Sequence, residues 1–263
     1  MPDRTPLTGL QFFDPKQEHT IAWKNLPHWA QAGTVCFITW RTADSLPKEA
    51  IGRLNGRRQE LLRSMQLDPN GDWKASLAKL PAAVRAQLHW SFFTAWDAEL
   101  DNAAGACVLR ERELSEIVMN SLLHFDNDRY VLADAVVMPN HVHLLVAFRD
   151  ADALMSQCQS WKRFTATGIN RRLREQANVG EEGKENLRHG MTELRGAGLC
   201  GASVPRPRLH PPTRGEFWQV EQFDHLVRSP EEFEKYRRYI ADNPRNARLS
   251  EGGYRSFAKA VLG

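Results

Sequence analysis

Two short stretches of the 263-residue chain hold side chains whose types and spacing could do chemistry together. The first is Met138-Pro139-Asn140-His141-Val142-His143-Leu144-Leu145-Val146. Residues two apart on a strand face the same way, so His141 and His143 would project side by side while Val142 anchors the other face. Two imidazoles at that spacing can share one divalent cation, provided a neighbour fixes the second nitrogen of each. A pair of hydrogen-bonded histidines at a strand end would give the same pattern. The second stretch is Tyr236-Arg237-Arg238-Tyr239-Ile240-Ala241-Asp242-Asn243-Pro244. Tyr239 and Asn243 lie one helical turn apart on one face, a phenol suited to nucleophilic attack beside an amide oxygen suited to a metal. The plainer alternative packs Tyr239 into the core and leaves Asn243 capping the helix before Pro244. Tyr236 lies three residues earlier on the same stripe, and spacing does not choose between the two phenols.

Such residues need elements to hold them. The β-branched and aromatic run 34–40 (TVCFITW) predicts a buried strand. Ser45, as N-cap, and Pro47 predict a helix to about Met65, followed by a turn cluster at 68–72. A further helical stretch, rich in Trp and Phe, covers about 81–100. Leu114, Ile117, Val118, Leu122 and Leu123 share a stripe, which predicts a helix over 111–124. Residues 130–138 and 141–148 read as strands broken by Pro139-Asn140, a hairpin or close neighbours. A long basic helix is expected over 152–176 and a short strand at 217–220. A last helix starts at Ser229-Pro230-Glu231-Glu232 and is closed by Pro244. Residues 1–30 read as an irregular N-terminal extension, 178–215 as a Gly- and Pro-rich flexible insertion, and 251–263 as a C-terminal tail, leaving 31–250 as the domain proper. The element order predicts an α+β fold: a ferredoxin-like antiparallel sheet with helices on a face.

Composition narrows the function classes. With 42% hydrophobic and 25% charged residues the chain can bury an ordinary globular core. No window approaches the roughly 18 consecutive apolar residues of a membrane span, so no membrane partner is expected. The polar N-terminus lacks the apolar run of a secretory signal. Cys36, Cys107, Cys158 and Cys200 form no CxxC pair, which argues against a zinc ribbon or a disulfide framework and fits a reducing cytoplasm. A net charge of +3 diagnoses nothing, but its distribution does: 161–174 holds five Lys/Arg and no acid, and 235–248 five with Asp242 the one acid. Lys162, Arg163, Arg171, Arg172, Arg237 and Arg238 are therefore the candidate phosphate contacts of a nucleic acid, although either stretch could be a solvated helix face.

Taken together, HVH within MPNHVHLLV and a downstream YIxxNP resemble the REP-associated tyrosine transposases, which belong to the HUH endonucleases. Further matches are Phe37-Ile38-Thr39-Trp40-Arg41, Arg129-Tyr130, Lys162-Arg163-Phe164-Thr165, Phe217-Trp218-Gln219 and Phe223-Asp224-His225, in consistent order over about 30–250 apart from 178–212. The resemblance implies an HUH-type ferredoxin-like fold with His141 and His143 as metal-binding histidines. It implies Tyr239, rather than Tyr236, as the nucleophile. Asn243 stands where the family carries a third, amide ligand, often the longer Gln. The implied activity is that of a transposase: single-stranded or hairpin DNA cut and rejoined through a covalent 5′-phosphotyrosine, with Mg²⁺ or Mn²⁺, at REP-like hairpin-flanked sites of the nucleoid. The chain would act as a monomer or a homodimer; small relatives swap their tyrosine helices in dimers, whereas the long linker here could let the helix serve its own histidines. Asp224 and His225 could position DNA or orient the metal shell, or form a structural pair. Two other functions stay open. One is a hydrolytic metal phosphoesterase with water as nucleophile, although a histidine-triad hydrolase would want a third His at Leu145. The other is a domesticated DNA-binding protein without strand transfer.

Overall fold

The stretches 35–41, 130–137 and 141–148 carry few polar residues and little alternation, the pattern of strands covered on both faces. The computed structural model describes residues 10–23, 27–81, 104–190, 216–220 and 222–259, with scattered positions between 84 and 100. In it the chain runs β1 (Thr20–Trp23), β2 (Pro27–Ala30), β3 (Val35–Arg41), α1 (Lys48–Ser64), α2 (Trp73–Ala78), a 3₁₀ turn (Val108–Arg110), α3 (Arg112–Leu123), β4 (Tyr130–Val137), β5 (His141–Phe148), α4 (Ala153–Gly190), β6 (Phe223–Leu226), α5 (Pro230–Asn246) and β7 (Arg255–Ala258). Five strands form one antiparallel sheet in the order β6-β3-β5-β4-β7, and β1 and β2 pair separately as a hairpin. Without β7, the sheet strands stand in the order fourth, first, third, second. This is the ferredoxin-like β-α-β-β-α-β arrangement.

The pleat divides the sheet into two cores. Cys36, Ile38, Trp40, Val142, Leu144 and Val146 turn towards α3 and α4, meeting Leu114, Val118, Leu122, Trp161 and Ile169. Val35, Phe37, Leu145 and Ala147 turn the other way, onto Phe233, Tyr236 and Ile240 of α5. Helices thus cover both faces, the two crossover helices on one and the last helix on the other. Each fully buried aliphatic or aromatic side chain in these layers contributes about 1.5–3 kcal/mol. β5 lies inside this sandwich and is buried along its whole length.

Several boundaries differ from the sequence expectation for identifiable reasons. The N-cap of α1 is Pro47, because the Ser45 hydroxyl is used elsewhere, donating to Thr42 O and accepting from Arg41. Helix α4 runs to Gly190, well past 176 and into the expected flexible insertion; no proline interrupts it, although Gly180 and Gly183 lie in the extra turns. The rest of that insertion, 191–215, lies outside the described residues. At 217–220 there is a single bridge, Trp218 to Thr42, and the strand lies later, at β6. Residues 1–30 are not wholly irregular, since β1 and β2 lie there and Phe13 N donates to Val227 O. The expected tail supplies β7, an edge strand on β4. Pro244 sits inside α5 rather than closing it, its missing N–H costing one bond in the last turn while Ala247 N still reaches Asn243 O. Described positions between 84 and 100 are helical, as expected. No helix among the described residues is long and apolar enough to cross a membrane.

Candidate active site

The turn Pro139-Asn140 closes the β4–β5 hairpin, with Met138 N donating to His141 O at 2.8 Å, and it delivers His141 and His143 to the α5 face of the sheet. They are 1% and 0% exposed. Their rings are oriented by neighbours. Asn140 Nδ2 donates to two carbonyls, Leu100 O and Ala104 O, which orients the amide and leaves Oδ1 facing His141 Nδ1 at 2.7 Å. A carbonyl oxygen only accepts, so Nδ1 of His141 carries the proton and Nε2 the lone pair. Across the sheet, Thr39 Oγ1 lies 2.6 Å from His143 Nδ1 and can hold that ring in the same tautomer. The two rings meet edge to face with centroids 4.6 Å apart. Securing the far nitrogen of each imidazole is what a metal-binding histidine pair requires.

Helix α5 brings the remaining groups. Ser229 caps its start, accepting from Glu232 N, and Pro230, Glu231 and Glu232 fill the first turn. Its buried stripe is Phe233, Tyr236, Ile240, Asn243 and Pro244. Asn243 is 1% exposed, with Nδ2 at 3.4 Å from His143 Nε2, while its Oδ1 is a buried acceptor with no hydrogen-bond partner among the described residues. The two tyrosines are now separable. Tyr236 is 2% exposed and stacks on Phe37 at 4.3 Å, and burial pushes its phenol far above the usual range. Tyr239 is half-buried, and its ring stands edge-on to His143 with centroids 5.3 Å apart. A single chain therefore places its own Tyr239 against its own histidine.

Three groups at this site were not singled out in the sequence. Phe37 stacks under Tyr236 and His143 and meets Tyr239 edge-on, so one ring sets the positions of three others. Thr39 and Asn140 hold the imidazoles. Each lies on or next to a segment whose strand register, if known, would have named it: Thr39 pairs with His143, and Asn140 precedes His141 in the turn.

The remaining candidates scatter. Asp224 and His225 face opposite sides of β6. Asp224 forms a buried pair with His28 of β2 on the α4 side, and burial raises its carboxyl despite that partner. His225 lies on the α5 side, 3.0 Å from Glu232 Oε1. Neither a shared Asp224–His225 pair nor a contact of either with His141 or His143 occurs among the described residues. Lys162 is spent on the chain itself, its Nζ donating to Gln219 O, Val220 O and Gln222 Oε1. Arg163, Arg171 and Arg172 line a groove between α3 and α4 with the exposed Phe164, on the sheet face opposite the histidines, and Arg171 and Arg172 both pair with Glu175. Arg237 is bound to Asp134 at 2.9 Å, and Arg238 is exposed on α5. The basic residues do not converge on the histidine pair.

Among the described residues no group of three or more His, Cys, Asp and Glu could hold a metal ion. The set on offer is two imidazoles and one amide oxygen. The Asn243 amide lies beside His143 with its Oδ1 orphaned, which fits a divalent cation, and two nitrogens with one oxygen suit Mn²⁺ better than the all-oxygen preference of Mg²⁺.

The fold and site thus describe an α+β domain with a two-histidine, one-amide centre and an adjacent phenol. No family model matches the chain, and no curated protein matches it. Among solved structures, the chain is similar to a REP-associated tyrosine transposase bound to a REP hairpin, at 12% identity over 85% of this chain and 74% of that one, with a TM-score of 0.37. Likeness at that level carries no inference about activity.

Proposed function

We propose that the chain is a divalent-metal-dependent DNA strand transferase that cuts single-stranded or hairpin DNA with Tyr239 as nucleophile. The observation that carries this reading is the convergence of Tyr239, His143 and the buried amide of Asn243, from two elements a hundred residues apart, on one point of the sheet. The residues that would hold the cation are His141, His143 and Asn243, and a bound Mn²⁺ or Mg²⁺ would supply Lewis-acid polarisation of a phosphate oxygen. Asn140 and Thr39 would keep both imidazoles in the ligating tautomer. Tyr239 would attack the scissile phosphorus in line: the phenol oxygen–phosphorus bond forms as the bond to the 3′ oxygen breaks. The phenol proton leaves to water and the departing 3′ oxygen takes one up. The 5′ phosphate stays on the protein as a diester, whose retained bond energy lets a second 3′-hydroxyl reverse the step and rejoin strands. Since both histidines are closed over by α5, substrate access would require α5 to shift on the sheet.

The test is incubation with hairpin-bearing single-stranded DNA and Mn²⁺, resolved on a denaturing gel. A 3′-labelled strand should migrate with the protein, a 5′-labelled strand should be released, and both signals should vanish with Tyr239→Phe or a chelator. Undiminished cutting by Tyr239→Phe would instead make the protein a hydrolytic phosphoesterase. Binding without any cutting would make it a DNA-binding protein only.

A further inference from the structure

β3 ends in Arg41, which pairs with His141 in the sheet register, so the two side chains leave the same face of adjacent strands. Arg41 is 7% exposed, yet among the described residues no carboxylate pairs with it. Its hydrogen bond runs from Nη1 to Ser45 Oγ at 3.0 Å, and its guanidinium carbon lies 5.1 Å from the centre of the Trp96 ring. Other sheltered arginines of this chain are matched: Arg237 meets Asp134 at 2.9 Å and Arg255 meets Glu116 at 3.9 Å. The most buried of the three therefore has no counter-ion among the described residues. Burial lowers its ionisation only to about 10, so it is a cation at neutral pH. A desolvated guanidinium with most of its five donors unused is costly to keep unless an anion completes it, and its planar fork matches the oxygens of a phosphate.

We propose that Arg41 is a substrate-positioning residue that grips a backbone phosphate of the DNA strand lying across the histidine pair. The proposal rests on the strand-transferase reading for the identity of the anion. The competing role is structural: Arg41 would merely tie β3 to Ser45 and Trp96.

The experiment measures binding of single-stranded hairpin oligonucleotides, each carrying one neutral methylphosphonate linkage, to the full chain and to Arg41→Gln and Arg41→Lys, by fluorescence anisotropy with Mn²⁺. One linkage should stand out, weakening binding to the unmodified chain about ten- to a hundredfold and costing Arg41→Gln nothing further. Arg41→Lys should fall between, keeping the charge and losing the fork; it also serves if Arg41→Gln does not fold. A penalty profile that both variants share with the unmodified chain at every linkage overturns the proposal, as does an oligonucleotide that fails to bind at all. Adduct formation on the denaturing gel is scored separately. Adducts without coupling at Arg41 sink this inference alone, and coupling without adducts sinks strand transfer while leaving Arg41 as a phosphate contact.

Discussion

At the scale of single residues, the site is defined less by the histidines than by what holds them. Asn140 cannot turn its amide, since Nδ2 is committed to two carbonyls, and that fixes the proton on His141. Thr39, whose hydroxyl can accept from His143 Nδ1, holds that ring across the sheet. Thr39→Val should therefore lower Mn²⁺ affinity about 10–100-fold while the fold survives, as a calorimetric metal titration against a thermal melt would show. An unchanged affinity would mean that His143 does not need Thr39 to bind metal. Much of this was legible in advance: HVH on a strand names the imidazoles, and a four-residue helical step joins Tyr239 to Asn243. The choice between Tyr236 and Tyr239 was not legible from spacing, because both lie on one stripe. It takes the stacking of Tyr236 on Phe37, a contact between elements 200 residues apart, to separate them. Arg41 was legible only as the end of the matched run 37–41, since a sequence does not display which buried charges pair.

At the scale of elements, apolar content placed β3, β4 and β5, and capping chemistry placed the start of α5. The failures came where local signals are weak. A proline in the last turn of α5 was read as a stop, and the glycine-bearing run after 176 was read as flexible although α4 continues through it to Gly190. β7 and the β1–β2 hairpin are short strands whose partners lie far away in sequence, and only the edge of an existing sheet defines them. The tie between β2 and β6 is of the same kind. His28 and Asp224 are each almost wholly buried, and breaking such a pair removes a buried hydrogen bond between β2 and β6. Asp224→Ala should cost about 1–3 kcal/mol in denaturant unfolding, with the activity of the remaining folded protein retained. A stable variant with lost cutting would instead make Asp224 part of the DNA-handling machinery.

At the scale of the whole molecule, the sheet separates two groups of candidate residues in space. The histidines and Tyr239 lie under α5, whereas Arg163, Arg171 and Arg172 lie on the groove between α3 and α4 across the sheet. The basic groove cannot hold the phosphate under attack, but it can hold DNA flanking it. Replacing all three arginines by Gln should weaken binding and flatten its dependence on log salt by up to about 2, with the rate of adduct formation at saturating DNA unchanged. An unaltered salt slope would remove that groove from the DNA path. The central claim, that Tyr239 is the nucleophile, has a more direct check in the chain's own sequence. Trypsin cuts after Lys235, Arg237 and Arg238, which puts Tyr236 and Tyr239 on different peptides and leaves Tyr239 the one phenol of peptide 239–245. Mass spectrometry of the nuclease-trimmed, trypsin-digested adduct should find the nucleotide on that peptide; finding it on the Tyr236 peptide, or on no tyrosine, would contradict the account.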